Sequence, residues 1–281
     1  MAYEPFEPIH QEPLQIAPET FVVRCAQRAL GAPLSVSLNS LVIRAAEPVL
    51  VDTGTIAGRE SWLEDTFSLV DPGDVRWVFI SHDDEDHTGN LAQVLERCPK
   101  ATVVSTWAGS ERMGNAFGIP AARLRWVDDG GTFDAGDRVM HAVAPPVYDS
   151  PATRGLYDPS THVYWASDCF ATPMPAVPVD RAGELPAQMW AEGMAMFHHH
   201  ALAPWLSMVD RGAFVATVRR LEELDIEVIA GAHTPTVDGT AVPTAMAQLA
   251  ALPDTVPPPH PDQAALEAII SGGPPIDQAS V

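Results

Sequence analysis

The chain is poor in cysteine, in positive charge and in long apolar runs, and each shortage removes a class of protein. Its three cysteines, Cys25, Cys98 and Cys169, are too few and too scattered for a disulfide framework or a thiolate zinc site. They read as reduced, mostly buried thiols. Sixteen basic residues against 37 acidic ones leave a formal charge of −21, which argues against nucleic acid or an anionic membrane as partner. No apolar run approaches the roughly 20 residues that cross a bilayer. The opening MAYEPFEPIHQEP has neither the basic nor the apolar region of a signal peptide. A cytoplasmic protein is the expectation.

What is present is ample apolar material, 46% of 281 residues, arranged as short strand-like runs alternating with helical stretches. Residues 38–52 read as two strands around a turn, 58–70 as a helix and 75–81 as a buried strand. The same logic repeats with a helix at 88–97, a strand at 101–105, a helix at 106–117 and an extended run at 138–143. Further strands are expected at 162–168 and 226–233, with a mainly helical stretch between them over 188–224. Strands alternating with helices indicate an α/β architecture. After about residue 253 the composition turns to that of a Pro-rich tail, so one domain over 1–252 and a partly extended tail over 253–281 are expected.

Chemistry concentrates in SHDDEDHTGN, residues 81–90, where His82, Asp84, Asp86 and His87 put four potential metal ligands in six residues after the apolar run of Trp77, Val78, Phe79 and Ile80. Two later strands end in the same kind of residue, HVYWASD in Asp168 and IEVIAGAH in His233. Strand ends of an open α/β sheet can converge on one site. Imidazole nitrogens and carboxylate oxygens bind divalent metals, and a shared carboxylate, for which Asp168 is the choice, can bridge two of them. Each residue also has an ordinary reading: Asp168 as a turn aspartate, Asp86 as a helix N-cap, His82 and His87 as one core and one solvated histidine. His233 alone reads as structural. Consecutive His198, His199 and His200 point about 100° apart on a helix, so at most one could face a metal. They and His10, His141, His162 and His260 are not assigned as ligands.

With these residues in place the chain resembles the metallo-β-lactamase superfamily, whose HxHxDH signature stands here as His82, Asp83, Asp84, Glu85, Asp86 and His87. An acidic residue at the second histidine position is similar to the diiron domain of flavodiiron proteins. LNSLVI, VLVDTG, SDCF and GAHTP match in order, over roughly residues 20–250. The resemblance implies a four-layer αβ/βα sandwich. It also implies one metal on His82, Asp84 and Asp168 and a second on Asp86, His87, Asp168 and His233. The family's further histidine has no counterpart in APPVYDSPAT, where Tyr148 or Asp149 could supply an oxygen instead. Carboxylate in place of imidazole hardens the site, which favours iron, with zinc or manganese as alternatives.

The functions that follow are a dinuclear, diiron oxidoreductase that binds or reduces O2 or NO or oxidises a small-molecule substrate; a metallohydrolase of an ester, lactone, thioester or phosphodiester, with Asp86 or Asp168 orienting the water; or a non-catalytic relative. The relatives draw electrons from an FMN domain. The few proline-rich residues after 250 predict an external electron donor instead, and a homodimer is compatible with the resemblance.

Overall fold

A computed structural model of the chain describes residues 8–257 and 259–271. The central strands are short and apolar, because they are covered on both faces and alternate side chains enter different cores. Eight strands follow one another into the first sheet: β1 (Ile9–Ala17), β2 (Thr20–Arg28), β3 (Leu34–Ser37), β4 (Ser40–Ile43), β5 (Val49–Val51), β6 (Trp77–Phe79), β7 (Thr102–Ser105) and β8 (Leu124–Trp126). β9 (Thr132–Asp134), β10 (Val139–Val143), β11 (Gly155–Asp158) and β12 (Val163–Trp165) begin the second sheet. β13 (Met174–Pro175) returns to the first, beside β3, and β14 (Val228–Gly231) and β15 (Thr234–Asp238) complete the second.

β5, β6, β7 and β8 run parallel, joined by α1 (Arg59–Leu69), then α2 (Glu85–Thr88) with α3 (Leu91–Arg97), then α4 (Trp107–Phe117). Helices α5 (Ala187–Phe197) and α6 (Arg211–Glu222) precede β14, and α7 (Ala241–Ala251) follows β15.

Three cores define four layers. Val49, Val51, Phe79 and Val104 of the first sheet meet Phe133, Met140, Leu156 and Trp165 of the second in a central core between the sheets. Residues of opposite parity, Leu50, Val78 and Val103, face α1, α3 and α4 through Trp62, Leu91, Val94 and Met113. On the far side Tyr164, Ile229 and Val237 pack against Trp190, Met194, Val218 and Leu249 of α5, α6 and α7. The αβ/βα sandwich is therefore the fold.

Several expected boundaries shift for local reasons. The helix expected over 88–97 is two helices: Gly89 is still helical, but Asn90 leaves the helical region at φ −112° and ψ 11°, where its side chain donates to the Thr53 and Thr55 carbonyls at 2.7 and 3.2 Å. The strand expected over 162–168 ends at Trp165. Ser167 and Phe170 then take left-handed backbone, at φ 54° and 72°, to form a tight turn. The helical stretch expected over 188–224 is broken after α5 by one π-helical turn at His198–Leu202. Not foreseen was the long β1–β2 hairpin. Within the stretch expected as a partly extended tail, Asp262 caps an eighth helix, α8 (Gln263–Ile270), and Ile269 of that helix lies against Gly31. Residues 258 and 272–281 of that stretch lie outside the described residues.

Candidate metal centre

The parallel pair β5 and β6 delivers the first half of the site. Asp52, one residue past β5, is completely buried and adopts left-handed backbone, with φ 58°. Its Oδ1 accepts the Ser81 N–H at 2.7 Å, while its Oδ2 accepts the Ser81 hydroxyl at 2.8 Å and the Trp165 indole N–H at 3.0 Å. The same Oδ2 lies 2.9 Å from His87 Nδ1. A carboxylate only accepts here, so Nδ1 carries a proton and Nε2 is the nitrogen left facing inward to ligate. His233 is oriented in the same way by the Ser37 carbonyl, 2.8 Å from its Nδ1. His82 Nδ1 lies 3.2 Å from the Ser167 hydroxyl. Sequence reasoning did not assign these orienting groups; their one local sign is Asp52 closing the apolar run VLVD.

The inward atoms converge. Asp168 Oδ2 stands 3.4 Å from His82 Nε2, and its Oδ1 stands 3.0 Å from His87 Nε2 and 3.4 Å from His233 Nε2. Asp86 Oδ2 is 3.2 Å from His233 Nε2 and 3.5 Å from His87 Nε2. Asp84 Oδ2 and Asp149 Oδ1 flank His82 Nε2 at 3.6 and 3.7 Å. Three ligand groups share members: His82, His87 and Asp168; Asp86, His87 and His233; and His82, Asp84 and Asp149. Asp168 thus touches both halves.

Of the two candidates for the place of the family's further histidine, the structure brings in Asp149. The Tyr148 ring lies instead against Trp205, 5.3 Å between centroids, and the residue is 43% exposed. Asp86 is not a helix N-cap: Asp84 occupies that position of α2, without a side-chain cap bond, and Asp86 sits in the first turn facing His233.

The residues fit divalent metal. His82 Nε2, His87 Nε2 and Asp168 Oδ1 are buried atoms without a hydrogen-bond partner among the described residues, although oxygens and nitrogens crowd around them. Buried polar atoms are ordinarily paired, and a set that points at common points instead is the donor arrangement of a cation site. Four carboxylates, Asp84, Asp86, Asp149 and Asp168, would balance two divalent charges.

The electrostatics agree. Burial works to raise Asp168 and Asp86, but His87 and His233 outweigh it and hold both well below the usual carboxylate range. Burial works to lower His87 and His233, but Asp168 and Asp86 prevail, raising His87 well above its ordinary value and His233 to about 9. Asp84 is lowered, chiefly by its close polar contact with the His82 imidazole. Asp149 moves the other way, raised by burial and by the Asp168 charge. Cys169, next to Asp168, is pushed by burial to about 12 and remains a thiol.

His198 turns out to have a defined structural role. Its Nδ1 donates to the Met194 carbonyl at 2.7 Å, and its Nε2 accepts the Phe170 N–H at 3.2 Å, which pins the turn that carries Asp168. His199 bonds the Leu252 carbonyl and the Thr255 hydroxyl. The ring of His200 lies 3.7 Å from that of His260, between centroids. His10 pairs with Asp65.

This sandwich, with a histidine–carboxylate cluster at the ends of its strands, has the architecture of the metallo-β-lactamase fold. The profile of the ODP family beta lactamase matches residues 36–234, and the chain belongs to that family. Its relatives include a flavo-diiron protein of Clostridium acetobutylicum, 30% identical over 39% of this chain and 28% of that protein. "Putative diflavin flavoprotein A 2" of Nostoc sp. is 29% identical over 167 residues, which are 57% of this chain and 29% of that protein. "Anaerobic nitric oxide reductase flavorubredoxin" of Salmonella typhi is 26% identical over 48% of this chain and 28% of its own length. The chain therefore spans under a third of each of these relatives. Rubredoxin oxygen:oxidoreductase of Desulfovibrio gigas superposes with a TM-score of 0.72 at 15% identity, covering 86% of this chain and 62% of that one. Among the described residues no helix is long and apolar enough to cross a membrane.

Proposed function

We propose that the chain holds two divalent metal ions, iron first among them, and that the loaded centre binds O2 or NO and reduces it with electrons from a separate donor. The observation that carries this reading is the set of inward, unpartnered atoms His82 Nε2, His87 Nε2 and Asp168 Oδ1, ringed by Asp84, Asp86, Asp149 and His233. The names of the relatives support the choice of O2 and NO. Bound iron would supply open coordination positions and reversible one-electron chemistry.

The protein's own residues do the rest. Asp168 ties the halves together, and Asp52 and the Ser37 carbonyl hold two imidazoles in the tautomer that can ligate. Phe197 at the end of α5 lies 5.6 Å from His233, ring to ring, and shields that side from water. Asp84, with its side chain 59% exposed, marks the side open to solvent.

The test is anaerobic reconstitution with ferrous iron, metal counting, and measurement of O2 and NO consumption with a chemical reductant. About two irons per chain and turnover of either gas are expected. Two zincs with esterase or phosphodiesterase turnover and no gas consumption would instead establish a hydrolase. Asp168→Ala should release both metals, and retention of two would refute the bridge.

A further inference from the structure

The two halves of the centre are chemically unequal. Around His82 the converging donors are its own imidazole nitrogen and three carboxylate oxygens, from Asp84, Asp149 and Asp168, while His87, which also groups with His82 and Asp168, lies on the side of Asp86 and His233. Around His87 they are two imidazole nitrogens, the second from His233, with Asp86 and the other oxygen of Asp168. Their exposure differs at one residue. The imidazoles of both halves are buried, and Asp149 and Asp86 are alike at 24% and 23% exposed. Asp84, 59% exposed, opens the His82 half to solvent.

We propose that the halves select different metals, manganese beside His82 and iron beside His87, so that the loaded chain carries a mixed pair. The proposal rests on the dinuclear reading above and deepens it.

The reason lies in what each donor offers. For a given site ferrous iron binds more tightly than manganous ion, and imidazole nitrogen widens that difference while carboxylate and water narrow it. High-spin manganous ion gains no ligand-field energy from nitrogen, so it loses least where nitrogen is scarce. The oxygen-rich half also has a solvent side, which suits an ion that keeps bound water and adapts its coordination. With iron supply limited to about one equivalent, the nitrogen-richer half takes the iron and the other is left to manganese. Asp149 is the residue that tips the balance, because an imidazole in its place would make the two halves alike in nitrogen count.

The test uses metal-free full-length protein under anaerobic conditions, given one equivalent of ferrous iron and an excess of manganous ion. Total metal per chain reports the dinuclear reading, and the ratio and location of the metals report the inference. About two metals per chain, in near-equal amounts, with the manganese anomalous signal beside His82 and the iron signal beside His87, are expected. Two metals per chain distributed without preference between the halves, or manganese beside His87, would overturn the inference and leave the dinuclear reading standing. Fewer than two metals per chain under saturating supply would overturn both.

Asp149→His should lower the manganese-to-iron ratio beside His82 by about tenfold or more. An unchanged ratio in a variant with two metals overturns the proposal. Asp149→Asn, similar in volume to the native residue, should keep iron beside His87 and lose metal beside His82. Retention of tightly bound manganese there would overturn the role of Asp149. Circular dichroism on both variants separates these outcomes from misfolding.

Discussion

At the scale of single residues the centre depends on groups that do not face the metal positions. Asp52 accepts hydrogen bonds from Ser81 twice, from Trp165 and from His87 Nδ1–H. Asp52→Asn would set an amide donor against one or more of these donors. Loss of such a partner weakens metal binding about 10–100-fold, and a buried unsatisfied donor costs about 1–3 kcal/mol. Isothermal titration and urea denaturation would read both effects, and unchanged affinity would show that His87 needs no such support. Protonation gives a second expectation. In metal-free protein His233 is raised from 6.5 to about 9, so its contribution to stability is complete below pH 6.5 and is lost as pH rises through 9. Metal must displace that proton, so affinity strengthens over the same interval by up to about tenfold per pH unit for each proton displaced. Denaturation midpoints with chelator should therefore fall from pH 6.5 to 9 while metal affinity climbs. Parallel trends would contradict the assignment.

At the scale of elements, turns and short helices place the ligands. His198 must be neutral to accept the Phe170 N–H, and burial lowers it to about 4. Its contribution to stability is present above pH 6.5 and is lost as pH falls through 4. His198→Leu strands a buried N–H and should cost about 1–3 kcal/mol while flattening the part of the acid-denaturation profile that His198 supplies. An unchanged profile would remove His198 from that role. What was legible follows the same division. The cluster of His82, Asp84, Asp86 and His87 could be read from the chain because its members are neighbours along it, and the endings at Asp168 and His233 could be read because each closes an apolar run. The partners of His198 and His233 could not: Phe170 is 28 residues from His198, and Ser37 is 196 from His233. Segment periodicity carries no information about such pairings. The break at Asn90 was equally hidden, since its side chain bonds the carbonyls of Thr53 and Thr55, 37 and 35 residues back.

At the scale of the whole molecule, the candidate ligands come from both sheets. His82, Asp84, Asp86 and His87 follow β6, Asp149 precedes β11, Asp168 follows β12 and His233 lies between β14 and β15. A metal held by both sets joins the two sheets at their common edge, and unfolding must dissolve that joint. A ligand that binds only the native state at 100 times its dissociation constant adds about 2.7 kcal/mol. For a domain of this size each kcal/mol shifts the melting temperature by about 2–4 °C. Loaded protein should therefore melt about 5–10 °C above protein in excess chelator, in one cooperative transition. The tail should not share in this coupling, because among the described residues α8 has no buried side chain and contributes no candidate ligand. A chain ending at residue 256 should bind the same number of metals and show the same chelator-dependent shift. If that shift disappears with the tail, the metal joint needs a segment beyond the sandwich; if it survives, the sandwich alone carries it.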